Sequence, residues 1–146
     1  MWGFIKVLDR AESEYSGTIQ VVSTFEGNRI IAGGVSQSGP LVAKVWSEAL
    51  KKVKKEKEGI SKVLILGLGG GSAAKLVNKY WPNARITGIE IDPILIDFGK
   101  RYLSLDRVMN LTIVQQDVNV WMQKLKSDRY QLILVDLYTG SIIPEE

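Results

Sequence analysis

The stretch that decides the fold of this chain reads Val63-Leu64-Ile65-Leu66-Gly67-Leu68-Gly69-Gly70-Gly71-Ser72. Four apolar residues run directly into a cluster of glycines, and a helical pattern of apolar residues begins immediately afterwards. This order is typical of a buried parallel strand that ends in a tight turn at a helix N-terminus. Glycines in such a turn can adopt positive φ and let a ligand approach the backbone N–H groups at the positive end of the helix.

A second strand that ends in an acid follows this helix, over Arg85-Ile86-Thr87-Gly88-Ile89-Glu90. A carboxylate at the tip of such a strand can accept hydrogen bonds from both hydroxyls of a ribose. The strand, glycine turn, helix, second strand and acid together predict a nucleoside-binding βαβ unit. The alternative is an α/β core whose glycine turn holds no ligand.

Two further strands are predicted, over residues 111–114 and 130–135, and each follows a helical pattern. The pair Asp92-Pro93 is typical of an N-cap and the first position of a helix. The alternation of strands and helices predicts an α/β fold with a Rossmann-like parallel sheet in the strand order 3-2-1-4 and right-handed crossovers. We expect this nucleoside-binding domain to occupy residues 39–146.

The acids of the predicted sheet stand at its carboxyl edge. The glycine turn, Glu90, Asp117 and Asp136 each come at or just after the end of a successive strand. Ligands bind along this edge in open α/β sheets, so we expect these residues to form one site. Two of the acids also have a local explanation, because Asp117 can cap the next helix and Asp136 can form a turn.

Residues 1–38 are predicted to form a small N-terminal β-hairpin region. Residues 18–24 are rich in β-branched side chains, residues 26–28 supply a turn, and residues 29–32 return. Pro40 then opens a helix with one apolar stripe, which we expect to end near Gly59.

Composition narrows the classes of function. The chain of 146 residues has no cysteine, which favours a cytoplasmic location. No apolar run approaches the roughly 20 residues that span a bilayer, and the start lacks the pattern of a signal peptide, so no membrane partner is expected. Histidine is absent as well, so the usual zinc ligands are missing, no metal is expected, and proton transfer would fall to Asp, Glu, Lys or Tyr. The lysine run at residues 51–57 reads as a solvated helix end and not as a nucleic-acid site, which would interleave aromatic or recognition elements.

The glycine motif fits a nicotinamide dinucleotide fingerprint poorly, because Ser72 stands where Gly or Ala is required. The chain resembles the spermidine synthase (polyamine aminopropyltransferase) family, whose fold is that of class I S-adenosylmethionine-dependent methyltransferases. Residues 14–21 are similar to that family's Ser-Pro-Tyr opening, and residues 34–37 to its Gly-Val-x-Gln. Residues 67–72 are similar to Gly-Gly-Gly-Asp-Gly-Gly, 90–92 to Glu-Ile-Asp, 116–117 to Gly-Asp, and 135–138 to Asp-Ser-Ser-Asp. The first two motifs distinguish this family from other methyltransferase-like proteins.

This resemblance implies a co-substrate, an acceptor and roles by position. The co-substrate would be S-adenosylmethionine or its decarboxylated form, and the acceptor a polyamine or another amine. Gln37 would contact the methionine-derived tail, Glu90 the ribose and Asp117 the adenine amino group. Asp136 would be the catalytic base, and a partly desolvated carboxylate can have its pKa raised towards the range that this role needs. The implied cofactor-binding positions are Gln37, Gly67, Gly69, Gly71, Glu90, Ile91, Asp117 and Val118.

Three regions depart from the family pattern. Gly70 replaces the acid of the glycine loop, Trp46 and Ser47 stand where the family has Tyr and Gln facing the acceptor, and residues 137–140 lack a second acid. A methyltransferase and an inactive nucleoside-binding scaffold therefore stay open as alternatives to aminopropyl transfer. Residues 130–135 would form a sheet edge without charge or proline, so we also expect a homo-oligomer that covers this edge.

Overall fold

The computed structural model describes residues 5–125 and 130–137. The elements in chain order are β1 (Lys6–Ser13), β2 (Gly17–Thr24), β3 (Gly27–Ala32), β4 (Val35–Ser38), α1 (Pro40–Glu56), β5 (Lys62–Leu66), α2 (Ser72–Tyr80), β6 (Arg85–Glu90), α3 (Pro93–Leu103), a 3-10 turn (Leu105–Arg107), β7 (Leu111–Gln115), α4 (Val118–Gln123) and β8 (Leu132–Val135). The strands form two four-stranded sheets, in the orders β1-β2-β3-β4 and β7-β6-β5-β8.

The second sheet is parallel throughout and confirms the predicted strand order 3-2-1-4. Its central strand β5 pairs with β6 and β8, and Leu66 lies opposite Ile89 on one side and Val135 on the other. Val63 and Ile65 pack into a core with α1 and α2, while the alternate side chains of β5 pack towards α4. Both faces of β5 are therefore buried, which explains its continuous apolar run.

The N-terminal hairpin is confirmed but is larger than predicted. Strands β2 and β3 pair antiparallel, with Val21 opposite Ile30 and Thr24 opposite Gly27 across the turn. Strands β1 and β4 flank this pair and complete a four-stranded antiparallel sheet. The apolar face of the sheet packs against α3, where Ile19 and Ile30 meet Phe98. The flanking strands carry few buried apolar side chains, so their sequences gave no clear period-2 signal.

The helix starts follow the predicted signals. Pro40 is the first residue of α1, and the Asp92 carboxylate accepts the Ile94 N–H at 2.9 Å as the N-cap of α3. The fourth strand of the parallel sheet begins two residues later than predicted, at Leu132. The predicted loop beyond residue 137 and the tail at residues 141–146 lie outside the described residues. None of the described helices is long and apolar enough to cross a membrane.

Candidate functional site

A cavity of about 450 Å³ opens at the carboxyl edge of the parallel sheet. The N-terminal sheet, the glycine turn after β5, and the ends of β6, β7 and β8 all contribute to its wall. Most of the site residues expected from the sequence line it together: Gln37, Gly67, Gly69, Glu90, Ile91, Asp117, Val118 and Asp136. The topology thus brings residues from five separate segments to one place.

Gly71 is the expected site residue that does not line the cavity. It is the N-cap of α2 with φ of 93°, and a Cβ at this position would overlap the Leu105 side chain. The structure therefore gives Gly71 a conformational and packing reason to be glycine, and its assignment as a cofactor contact has no support from the cavity wall.

Gly67 allows the end of β8 to approach the glycine turn. Its φ is +85°, and a Cβ at this position would overlap the carbonyl oxygen of Asp136. The Gly67 and Leu68 N–H groups both donate to the Ile89 carbonyl, at 3.0 and 2.9 Å. A side chain at position 67 would force apart the glycine turn and the end of β8, which are two of the segments that line the cavity.

The second half of the glycine turn is tied to the N-terminal sheet by two buried serines. Ser38 Oγ accepts the Gly70 N–H at 2.7 Å, and Ser72 Oγ accepts the Gly39 N–H at 2.9 Å. A Cβ on Gly70 would lie within 3.0 Å of the Ile30, Ser38 and Leu103 side chains. Position 70 therefore has no space for a carboxylate side chain in this packing.

Glu90 is the most buried acid in the cavity wall, with 7% of its surface exposed. Its Oε2 accepts the Gly69 N–H at 2.7 Å, and its Oε1 accepts the Asp92 N–H at 3.0 Å. Burial raises the pKa of Glu90 above its ordinary value, and the two backbone hydrogen bonds oppose this effect. Because each carboxylate oxygen has two lone pairs, acceptor capacity is left for ligand hydroxyls.

Asp92 connects the N-terminal sheet to this site, which sequence reasoning missed. The carboxylate is fully buried, and its Oδ2 accepts the hydroxyls of Ser13 and Ser16 at 2.5 and 2.6 Å. The turn that carries these serines also places Tyr15 in the cavity wall. The sequence showed only the local helix cap, because the serines lie more than 70 residues away.

Asp117 caps α4, as its local explanation required. Its Oδ1 accepts the N–H groups of Asn119 and Val120, at 2.7 and 3.1 Å. Both capping hydrogen bonds reach Oδ1, so capping leaves the second oxygen, Oδ2, available as an acceptor. Asp117 also lines the cavity, where a ligand can reach it. Its contact with an adenine amino group stays a prediction.

Asp136 is held at the mouth of the cavity by contacts from two elements. Its backbone N–H donates to the Leu66 carbonyl at 2.8 Å, and its Oδ2 accepts the Trp46 indole N–H at 3.0 Å. Asp136 is exposed to solvent. The described residues around it therefore do not provide the partial desolvation that we expected from the sequence. The structure leaves this carboxylate accessible to solvent.

The charged side chains that the structure describes in the cavity wall are all acidic. Glu90, Asp117 and Asp136 line it, and neither lysine nor arginine does so in the part of the chain that the structure describes. The same part holds no group of three or more acids, histidines or cysteines arranged for a metal ion. Such a wall attracts a cationic ligand rich in hydrogen-bond donors.

A family model described as "Spermine/spermidine synthase domain" matches residues 44–146, which is well over half of the chain. The chain belongs to this family. The family assignment agrees with the resemblance inferred from the sequence, and the matched residues include the glycine and Glu-Ile-Asp motifs.

Relatives of this family member are similar over part of their length. A polyamine aminopropyltransferase of Vibrio vulnificus is 33% identical over 86 residues, which cover 58% of this chain and 29% of that protein. An "eEF1A lysine and N-terminal methyltransferase homolog" of Drosophila pseudoobscura pseudoobscura is 25% identical over 123 residues, which cover 82% of this chain and 18% of that protein. The chain therefore corresponds to about a third or less of these curated relatives.

A solved structure shows the same fold. A probable spermidine synthase from Corynebacterium glutamicum matches with a TM-score of 0.73 at 19% identity, over 93% of this chain and 54% of that one. The fold of this family member, with its antiparallel N-terminal sheet and parallel second sheet, is thus shared with that protein.

Proposed function

We propose that this chain binds decarboxylated S-adenosylmethionine in the cavity and transfers its aminopropyl group to an amine. The observation that carries the proposal is the acidic wall, in which Glu90, Asp117 and Asp136 have no basic neighbour among the described lining residues. The decarboxylated co-substrate carries a sulfonium and an ammonium, and both charges are complementary to this wall. S-adenosylmethionine also carries a carboxylate, for which the described wall offers no cationic partner.

The nucleoside would lie along the ends of β6 and β7. Glu90 would accept hydrogen bonds from the ribose hydroxyls, and Asp117 would accept one from the adenine amino group. Ile91 and Val118, which also line the cavity, would supply apolar contacts to the adenine ring. Gln37 would reach the aminopropyl tail from the N-terminal sheet.

The transfer is a direct displacement. The lone pair of the acceptor nitrogen forms a C–N bond to the carbon next to the sulfonium, while the C–S bond breaks. Its electron pair stays on sulfur, which leaves as the neutral thioether of methylthioadenosine. The extra proton on the new ammonium passes to the Asp136 carboxylate, which is exposed at the cavity mouth. Such a reaction depends on positioning and a base.

A methyltransferase is the second candidate, and two observations favour it. Gly70 carries no side chain where the family resemblance places the acid that holds the donor amine. The chain is also similar to a protein described as a methyltransferase homolog. In that reaction the methyl group would move and S-adenosylhomocysteine would be the product.

Product analysis tests both candidates. The protein is incubated with decarboxylated or intact S-adenosylmethionine, and with putrescine or spermidine as acceptor. Release of methylthioadenosine only in the presence of an amine supports the proposal, whereas release of S-adenosylhomocysteine supports the methyltransferase. Ligand binding by calorimetry without either product would leave a nucleoside-binding scaffold as the function.

A further inference from the structure

We infer that Trp46 is a positioning residue, which fixes the Asp136 carboxylate for its role as base. The inference rests on the proposed function and starts from the hydrogen bond between Trp46 Nε1 and Asp136 Oδ2 at 3.0 Å. This bond joins α1 to the segment after β8, and it is made by a residue at which the chain departs from the family pattern. Trp46 itself does not line the cavity, so it acts through Asp136.

The indole is held firmly enough to serve this purpose. Trp46 is half-buried and packs against the core that contains Val63, Ile65 and Leu134. The next residue of α1, Ser47, makes a hydrogen bond of 3.1 Å to the Tyr80 hydroxyl on α2. The position of the Nε1–H group is therefore set by the packing of α1 against the sheet and α2.

The backbone of Asp136 is fixed independently of its side chain. Its N–H donates to the Leu66 carbonyl at 2.8 Å, and its carbonyl oxygen occupies the space that a Cβ on Gly67 would take. Once the backbone is set, the remaining freedom is rotation of the carboxylate. The indole removes that freedom by binding Oδ2, while within residues 5–125 and 130–137 no hydrogen bond reaches Oδ1.

One oxygen of Asp136 is thus occupied by a donor and the other is available to the amine. An indole N–H donates and cannot accept, so Trp46 cannot take the proton or hold the attacking N–H group itself. In this arrangement Asp136 alone receives the proton, and Trp46 determines where the receiving oxygen stands. Loss of the indole N–H is therefore expected to slow the chemical step and to leave co-substrate binding intact.

A matched pair of tryptophan variants tests the inference. Trp46→Phe removes the indole N–H and keeps an aromatic ring in the core. Trp81→Phe is the control, because the Trp81 indole belongs to the same core but donates to the Lys57 carbonyl at 3.2 Å, away from the cavity. We expect Trp46→Phe to lower kcat about tenfold or more with little change in the KM for the co-substrate, since general bases contribute factors of about 100 to 10,000. Trp81→Phe should change kcat by no more than about twofold.

A spectroscopic arm separates this inference from the proposed function. The chain has four tryptophans, so the indole ¹⁵N–¹H resonances are few and can be assigned with single Phe variants. Asp136→Ala should shift the Trp46 resonance and leave that of Trp81 in place. If the Trp46 resonance does not shift in Asp136→Ala, the inference is overturned, whether or not the protein is catalytically active. A shifted resonance supports the contact even if methylthioadenosine is never formed. In that case the aminopropyl transfer and the role of Asp136 as its base are refuted, while the placement of the carboxylate by Trp46 stands. Equal losses of kcat in Trp46→Phe and Trp81→Phe would also overturn the positioning role.

Discussion

Replacement of Glu90 by glutamine tests how the cavity recognises a nucleoside. The carboxylate is buried at the tip of β6 and uses one lone pair on each oxygen for the Gly69 and Asp92 N–H groups. In the proposed complex the remaining lone pairs accept the two ribose hydroxyls. Glutamine has nearly the same shape, but it loses the charge, and its NH₂ group can no longer accept.

The expected loss of affinity follows from the hydrogen bonds between Glu90 and the ribose. A hydrogen bond to a charged group contributes about 1.5–3 kcal/mol, and every 1.4 kcal/mol corresponds to a factor of ten in affinity. Glu90→Gln should therefore weaken the binding of methylthioadenosine by a factor of roughly 10 to 100. Isothermal titration calorimetry measures this change directly, and methylthioadenosine is a suitable probe because it contains the ribose and adenine without a cationic tail.

The NH₂ group of glutamine would also face a backbone donor, either Gly69 or Asp92, so the glycine turn itself could change. The 2′-deoxy analogue of methylthioadenosine distinguishes the two causes. If Glu90 binds the ribose, the analogue binds the native protein more weakly, and Glu90→Gln lowers its affinity less than that of methylthioadenosine, because only the 3′-hydroxyl contact is left to lose. An equal loss for both ligands, or unchanged affinity of the variant for methylthioadenosine, would refute the ribose contact.

Three further predictions follow from the described contacts. Gly70→Asp should lower the free energy of unfolding by about 2 kcal/mol or more, because the side chain would be forced against the Ile30 and Leu103 side chains; urea denaturation with undiminished stability would contradict this. Burial raises the pKa of Glu90, so the folded state holds its proton at a pH where the unfolded chain has lost it. The free energy of unfolding should then fall as the pH rises from about 4.5 towards the raised pKa. If the free energy of unfolding has the same pH dependence in the native protein and in Glu90→Gln, this prediction is contradicted. Finally, the exposed side chain of Val135 on β8 belongs to the edge expected to be covered in a homo-oligomer, so Val135→Lys should dissociate the assembly in light scattering; a monomeric native protein at high concentration would contradict it.

The sequence alone determined the parallel sheet and the position of its acids. The apolar run into Gly67, the acid at Glu90 and the turn residue Asp136 are local patterns whose meaning depends only on strand and helix geometry. Parallel strands place their carboxyl ends on one edge, so these residues had to meet whatever the rest of the chain does. The same local reasoning gave the caps of α3 and α4.

Tertiary structure decided the contacts that connect this edge to the rest of the molecule. The bonds from Ser13 and Ser16 to Asp92, and from Trp46 to Asp136, join residues 76 to 90 positions apart. Such pairs depend on how the N-terminal sheet packs on α3 and how α1 packs into the core beside β5 and α2, which no hydrophobic period encodes. The absence of a side chain at position 70 likewise has its reason only in the packed structure, where a Cβ would meet side chains from three separate elements, β3, β4 and α3. Local periodicity sets the elements and their polar ends, while side-chain packing between distant elements sets the shape of the site they form.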